Sequence, residues 1–266
     1  MESGYISLTW IDLFLSLSFI LLAIGLAFWQ KIDINKDIAI GTVRTFVQLL
    51  AVGYALEWLF DPQNKWMIAP VLVVMVAFAS WEGTKRPEFH IPKLYGILFV
   101  SILVSAGVVL TITIAFIIPV SPWWNQQYFI PLAGILIGNA LNGAALTADR
   151  LSSEIRQRRL EIESALALGA STSEAVSRSL RASVRAAMIP SINSLMTVGI
   201  VHLPGIMVGQ ILAGIPPLQA IRYQIVIMYM LISTKAIGSI VTGMFVYREF
   251  FTKRHQLRTA LLESAG

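Results

Sequence analysis

The chain contains no cysteine. Disulfides and thiolate metal centres are therefore excluded, and the redox compartment stays open. Charge is scarce as well. Only 13% of the 266 residues are Asp, Glu, Lys or Arg, about half the roughly 25% of a soluble globular domain. Histidine occurs three times, and no G-x-x-x-x-G-K-[ST] run is present, which removes the usual phosphate loop. Serine-hydrolase, zincin and paired-carboxylate signatures are also missing. These absences point away from an enzyme and from any cofactor bound by this chain itself.

What is abundant is apolar. Hydrophobic residues make up 56% of the chain. A spanning helix needs about 20 mostly apolar residues, and seven segments qualify as candidates: 8–29, 38–60, 66–82, 94–118, 129–147, 187–214 and 219–246. The first is read as a retained span and not a leader, because no Lys or Arg precedes it and no A-x-A-like site follows. The expected fold is all-α, a single polytopic membrane domain over 1–266 with about seven transmembrane helices. The net charge of +5 reflects topology, not nucleic-acid binding. With the N-terminus outside, sixteen of the twenty Lys and Arg fall in cytoplasmic segments, a strong positive-inside bias. The C-terminus is then cytoplasmic, in the inner or plasma membrane. The outer loop SPWWNQQ (121–127) is uncharged and carries two interfacial tryptophans.

One hydrophilic segment interrupts the pattern, at about 148–186. Leu151, Ile155, Ile162 and Leu166 recur at helical spacing. Gly169 fits a helix stop, and Ser171-Thr-Ser-Glu174 fits a capping box that starts the next helix. Val176, Leu180 and Val184 form that helix's apolar face, with Arg178, Arg181 and Arg185 on a basic one. Two amphipathic helices thus meet at an elbow near Gly169-Ala170-Ser171. A solvated basic loop is the simpler reading, and a docking lever for a cytoplasmic partner is the functional one. Glu163-Ser-Ala165-x-x-x-Gly169 followed by Ile189-Pro190 resembles the coupling loop of ABC-transporter permeases, with a longer spacing from glycine to proline.

Glycines and amides recur inside the apolar segments. Gly134 and Gly138, like Gly205 and Gly209, have the small-x-x-x-small spacing of closely packed membrane helices. Pro204-Gly205 reads as a kink or break, leaving 187–217 as one kinked span or two short pieces, and Gly214 ends the same run. Gln48, Asn139, Asn142 and Gln210 are amides in or beside hydrocarbon, costly unless they pair or face water. With Met207 they are candidates for a translocation path, against the plainer reading of interhelical hydrogen bonds. Arg44 and Lys235 are intramembrane cations. Arg44 either snorkels or holds the elbow or a neighbouring span. Asp12, Glu57 and Glu82 are the carboxylates available to Lys235, and depth disfavours Glu82. No closed metal-ligand cluster is visible, so the metal ligands are not assigned.

PLAGILIGNALNG, LEIESALALGAS, IPSINSL and VGIVHLPGIMVGQILAG follow one another in the order found in the Fet-type iron-export permeases, to which the plant aluminium-tolerance permeases are related. Arg44-Thr-Phe-Val-Gln48-Leu resembles the same family. The resemblance covers nearly the whole chain. It implies a permease subunit of an ABC exporter for iron or another metal ion, a separately encoded cytoplasmic ATPase that binds ATP-Mg, and a second copy of the permease. Three alternatives stay open. One is an ion-gradient-driven carrier with Arg44, Lys235, Asp12 and Glu57 as coupling charges. Another is an ABC permease for a different cargo such as a sugar nucleotide. The third is a non-transporting scaffold whose basic elbow recruits a partner or anionic lipid.

Overall fold

The computed structural model describes residues 9–88 and 90–263. Among them the fold is all helical: α1 (Trp10–Trp29), α2 (Asn35–Leu59), α3 (Ile68–Gly83), α4 (Leu94–Ile112), α5 (Gln126–Gln157), α6 (Arg159–Ala167), α7 (Thr172–Thr197), α8 (Gly205–Leu212), α9 (Pro217–Glu249) and α10 (Thr259–Glu263). A 3₁₀ turn, Pro62–Met67, leads into α3, and a π turn, Thr113–Ile117, ends α4. Six helical segments are long and apolar enough to cross a membrane: α1, α2, the turn with α3, α4 with its π turn, α5 and α9. The chain is a multi-pass α-helical membrane protein.

The sixth segment expected from the sequence, 187–214, is divided. Its first part is the end of α7, which carries Pro190 within the helix. The chain then leaves helical geometry at Val198 and turns through Gly199, whose φ is +84°. The short α8 follows, opened by Pro204. Proline at the N-cap removes a donor that a helix start cannot use. Of the two readings left open, the break holds: Pro204-Gly205 opens a second helix, α8, separate from α7.

The core is built around α5 and α9. At 1.5 Å per residue they run about 48 and 50 Å, longer than a hydrocarbon layer of about 30 Å. They are parallel, as the matched positions show: Ala140 meets Gly238, Gly143 meets Lys235 and Ser239, and Thr147 meets Gly243. α4 and α7 pack on both, and α3 packs on α4 and α5. Buried Leu98, Ile102, Leu136, Ala140, Leu151 and Val246 fill the bundle. Hydroxyls share this interior: Ser101, Ser105, Thr147, Ser239 and Thr242 are fully buried. Ser and Thr at such contacts permit close approach and bond across or along helices.

One end of the bundle gathers the basic segments. Glu88 donates its backbone N–H to Asp149 Oδ1 at 3.3 Å, and Lys93 Nζ lies 4.0 Å from Glu249 Oε1. The 83–93 loop therefore sits beside the C-terminal parts of α5 and α9. The tail after α9 turns back on the core there, with Phe250, Phe251 and Leu262 buried.

Candidate functional site

The elbow is formed by local rules that the sequence carries openly. α6 ends in a left-handed glycine, Gly169 at φ +89°. The Ala170 N–H bonds the Ala165 carbonyl at 3.0 Å, and the Gly169 N–H bonds the Leu166 carbonyl at 3.0 Å. This is the double-bonded helix stop in which glycine avoids the Cβ penalty. Two residues later Ser171 caps α7. Its backbone N–H donates to Glu174 Oε2 at 2.9 Å, while the Glu174 N–H donates to Ser171 Oγ at 3.3 Å. The bonds from Ser171 hold the Glu174 carboxyl below its ordinary value. α8 closes by the same device at Gly214, φ +88°, with the Ile215 N–H on the Gln210 carbonyl at 3.0 Å.

Sequence periodicity predicted the elbow's inner face well. Leu151, Ile155, Ile162 and Val176 are essentially inaccessible, and Leu166 and Leu180 pack against the same core. The stripe from Leu151 to Leu166 is carried by two helices, because Arg158, with φ of −102° and ψ of 20°, separates α5 from α6. Arg158 pairs with Glu154 at 3.1 Å, Arg159 with Glu163 at 3.0 Å, and Arg178 reaches Glu161 at 3.4 Å. Glu163 therefore already holds a partner within α6. Periodicity did not single out the outer face. Leu160 is 77% exposed and Leu168 is 89% exposed. With Ser164, Ala167 and Gly169, also exposed, they leave a small-residue and leucine tip projecting from the basic end.

Inside the bundle the glycine seam differs from the one expected. A Cβ at Gly143 would lie 2.6 Å from Lys235 Cγ, 2.8 Å from Ser239 Oγ and 3.0 Å from the Lys235 carbonyl oxygen. At Gly238 it would lie 3.3 Å from Ser105 Oγ, and at Gly243 it would run into Leu180 Cδ1. Nothing stands within 4 Å of such an atom at Gly138, Gly205, Gly209 or Gly214, and Gly134 meets only the end of Met75 at 3.1 Å. Along α5 and α9 the close-packed glycines are thus Gly143, Gly238 and Gly243, and Gly83 of α3 is as tightly placed against Leu98 and Leu141. Gly138, Gly205 and Gly209 make no such close approach within the chain. Gly214 is needed for its backbone angle, not for approach.

The five candidate path residues are not gathered into one lining. Gln48 is exposed on α2. Asn139 turns back along α5, its Nδ2 on the Ile135 carbonyl at 3.3 Å. Asn142 Oδ1 accepts from Arg86 at 2.8 Å, joining the 83–93 loop to the middle of α5. Met207 is buried and lines a separate cavity of about 340 Å³, with Gln224, Met228 and Tyr229 among its walls. The side-chain amide oxygens (Oε1) of Gln210 and Gln224 are buried without a hydrogen-bond partner among the described residues. Of the five, Asn142 and Met207 line two different cavities, and Gln48, Asn139 and Gln210 line neither of these. Arg86 and Gln224 were not singled out from sequence: one lies in a loop, the other on a helix of uniform apolarity.

The intramembrane cations also resolve. Arg44 makes two parallel bonds to Glu82 of α3, Nη1 to Oε1 at 3.1 Å and Nη2 to Oε2 at 3.0 Å. This fork-to-fork pairing fixes orientation as well as charge. Lys85 shares the same carboxylate at 3.1 Å and lies over the Trp81 ring at 3.3 Å. Arg44 thus holds a neighbouring span. Lys235 is 6% exposed, and no ion-pair or hydrogen-bond partner reaches it among the described residues. Glu82 is taken by Arg44, and Asp12 caps α1 through Thr9. No three His, Cys, Asp or Glu side chains converge as a metal cage among the described residues.

Comparison with known proteins agrees with this architecture over almost its full length. A family model described as "Uncharacterised protein family (UPF0014)" matches residues 10–251. The UPF0014 membrane protein slr1647 of Synechocystis is 37% identical, covering 97% of this chain and 99% of the relative. The Escherichia coli protein described as probable iron export permease protein FetB is 35% identical, covering 92% and 93%. Protein ALUMINUM SENSITIVE 3 of Arabidopsis thaliana is 32% identical, covering 92% and 88%. No solved structure gives a significant match. With a matching model across its bundle and relatives aligned nearly end to end, the chain belongs to the UPF0014 family of membrane permeases.

Proposed function

We propose that this permease is the membrane subunit of an ABC exporter for iron or another metal ion. A separate cytoplasmic ATPase docks on the α6–α7 elbow, and two permeases and two ATPases form the complex. The observation that carries the reading is the elbow's division of labour. Its inner face is locked into the α5–α9 core through Ile155, Ile162 and Val176, while Leu160 and Leu168 stand in solvent. Isolated leucines at such exposure on an otherwise charged surface suit a partner's groove. A rigid inner face would carry the partner's movement into the bundle. The metal cargo is suggested by the name of the E. coli relative, and the orientation with the basic end cytoplasmic by the distribution of Lys and Arg.

The test is co-reconstitution with candidate ABC ATPases of the same genome, scoring ATP-dependent movement of Fe²⁺ and Mn²⁺ out of the ATPase-facing compartment. Transport that needs both chains and ATP supports the proposal. Transport by this chain alone under an ion gradient contradicts it. Gly169→Pro, which no left-handed position accommodates, is expected to abolish ATP-driven transport.

A further inference from the structure

Lys235 is an intramembrane lysine with no carboxylate paired to it among the described residues. Its stem crosses α5 at Gly143, where a Cβ would lie 2.6 Å from Cγ. The missing side chain at 143 is what lets the lysine pass. The side chain borders a cavity of about 440 Å³ lined by Arg86, Asn142, Ala145, Leu146, Asp149 and Lys235. The cavity lies where the 83–93 loop meets α5, at the basic end of the bundle. Arg86 is held there by Asn142 Oδ1, a neutral acceptor, at 2.8 Å. Asp149 bonds the Glu88 N–H at 3.3 Å and ion-pairs with neither cation. Two cations therefore face this space against one carboxylate.

A buried lysine is costly unless a counter-charge or water meets it. A bare divalent cation is a poor occupant. It needs several oxygen ligands, and the walls supply Asp149 and an Asn142 oxygen already engaged by Arg86. Arg and Lys together are the usual chemistry for a carboxylate or phosphate group. We infer that the cavity walled by Arg86, Asn142 and Lys235 binds an oxyanion group of the transported cargo, so that a metal ion enters as an anionic carboxylate or phosphate complex. This rests on the export reading and names the form of its cargo.

The test uses the full chain in phosphatidylcholine nanodiscs, with citrate, ferric citrate, inorganic phosphate and Mn²⁺ as separate titrants. Saturable binding of citrate or ferric citrate is expected. Lys235→Met and Arg86→Gln are expected to weaken it at least tenfold, and Lys235→Arg to retain it. Asp149→Asn keeps an oxygen for the Glu88 N–H and removes the opposing charge, so it is expected to tighten binding several-fold. This last readout is independent of any folding defect in the Lys235 variants. Mn²⁺ binding that is lost in Asp149→Asn, without anion binding, overturns the inference. So does citrate affinity unchanged by Lys235→Met and Arg86→Gln. Phosphatidylglycerol in the nanodisc that eliminates citrate binding would assign the site to a lipid headgroup and overturn the cargo assignment. ATP-driven export by a chain that binds no anion would sink this inference alone. Anion binding without ATP-coupled export would sink the ABC reading alone.

Discussion

Two helix pairs in this protein are equally greasy and are held by different forces. In α1 and α2, 6% and 0% of the most apolar window is buried, against 44% in α5 and 39% in α9. Both pairs satisfy their backbone internally, as lipid requires. The α5–α9 pair adds glycine seams, interior hydroxyls and a threaded lysine, so its register is specified atom by atom. The α1–α2 hairpin is fastened to α3 through the Arg44–Glu82 fork and packs on the turn before α3. Apolarity therefore places a helix in the membrane but does not place it against its neighbours. Small residues and paired charges do that.

The sharpest break in this comparison is Gly143→Leu. It drives side-chain atoms into the Lys235 backbone, so relief requires α5 and α9 to separate. The expected loss exceeds about 3 kcal/mol, the upper range for overpacked cores, and should appear as lost monodisperse protein on size exclusion. Next comes Arg44→Gln, which removes the fork and leaves Glu82 with Lys85 alone. Thermal unfolding in detergent should show a clear but smaller drop than for Gly143→Leu. Glu82→Gln should lower stability similarly, and the double substitution should cost less than the sum. Ser171→Ala removes the α7 cap, for about 1 kcal/mol. Its pH signature has a defined sign. Glu174 has a folded pKa below its unfolded one, so its share of stability is complete above the ordinary carboxylate range and lost as pH falls through the lowered value. The wild type should lose stability over that acidic window more steeply than Glu174→Gln. Smallest is Gly53→Leu on α2, where a Cβ meets nothing within 4 Å. Its unfolding temperature should match wild type, and a large drop would show that the face of α2 bearing Gly53 is covered by another chain.

The same contrast explains what could be read in advance. Spans, the elbow and its two caps were legible, because apolar length, 3.6-residue periodicity and the Gly169 and Ser171–Glu174 signals act within a few residues. The pairing of Arg44 with Glu82 joins residues 38 apart, and depth along one helix said nothing about a neighbour's tilt. Glycines in apolar helices look alike in sequence. Only the crossing of α5 and α9 separates Gly143, which has a neighbour's backbone against it, from Gly138, which has open space. Leu160 and Leu168 were hidden for the opposite reason: an exposed leucine beside a buried stripe has no pattern of its own.

The central claim is that the elbow tip seats in an ATPase. The natural absence of cysteine makes its most direct test clean. Leu168→Cys is placed in the otherwise wild-type permease, mixed in membranes with the ATPase, and treated with a short maleimide–succinimidyl ester reagent, which joins the introduced thiol to a lysine amine of the ATPase. Val43→Cys, on the exposed surface of α2, serves as control. The account predicts a permease–ATPase cross-link from position 168 whose yield changes with ATP, and none from position 43. Equal yields from both positions, or no product at 168 in a complex that transports, would contradict it.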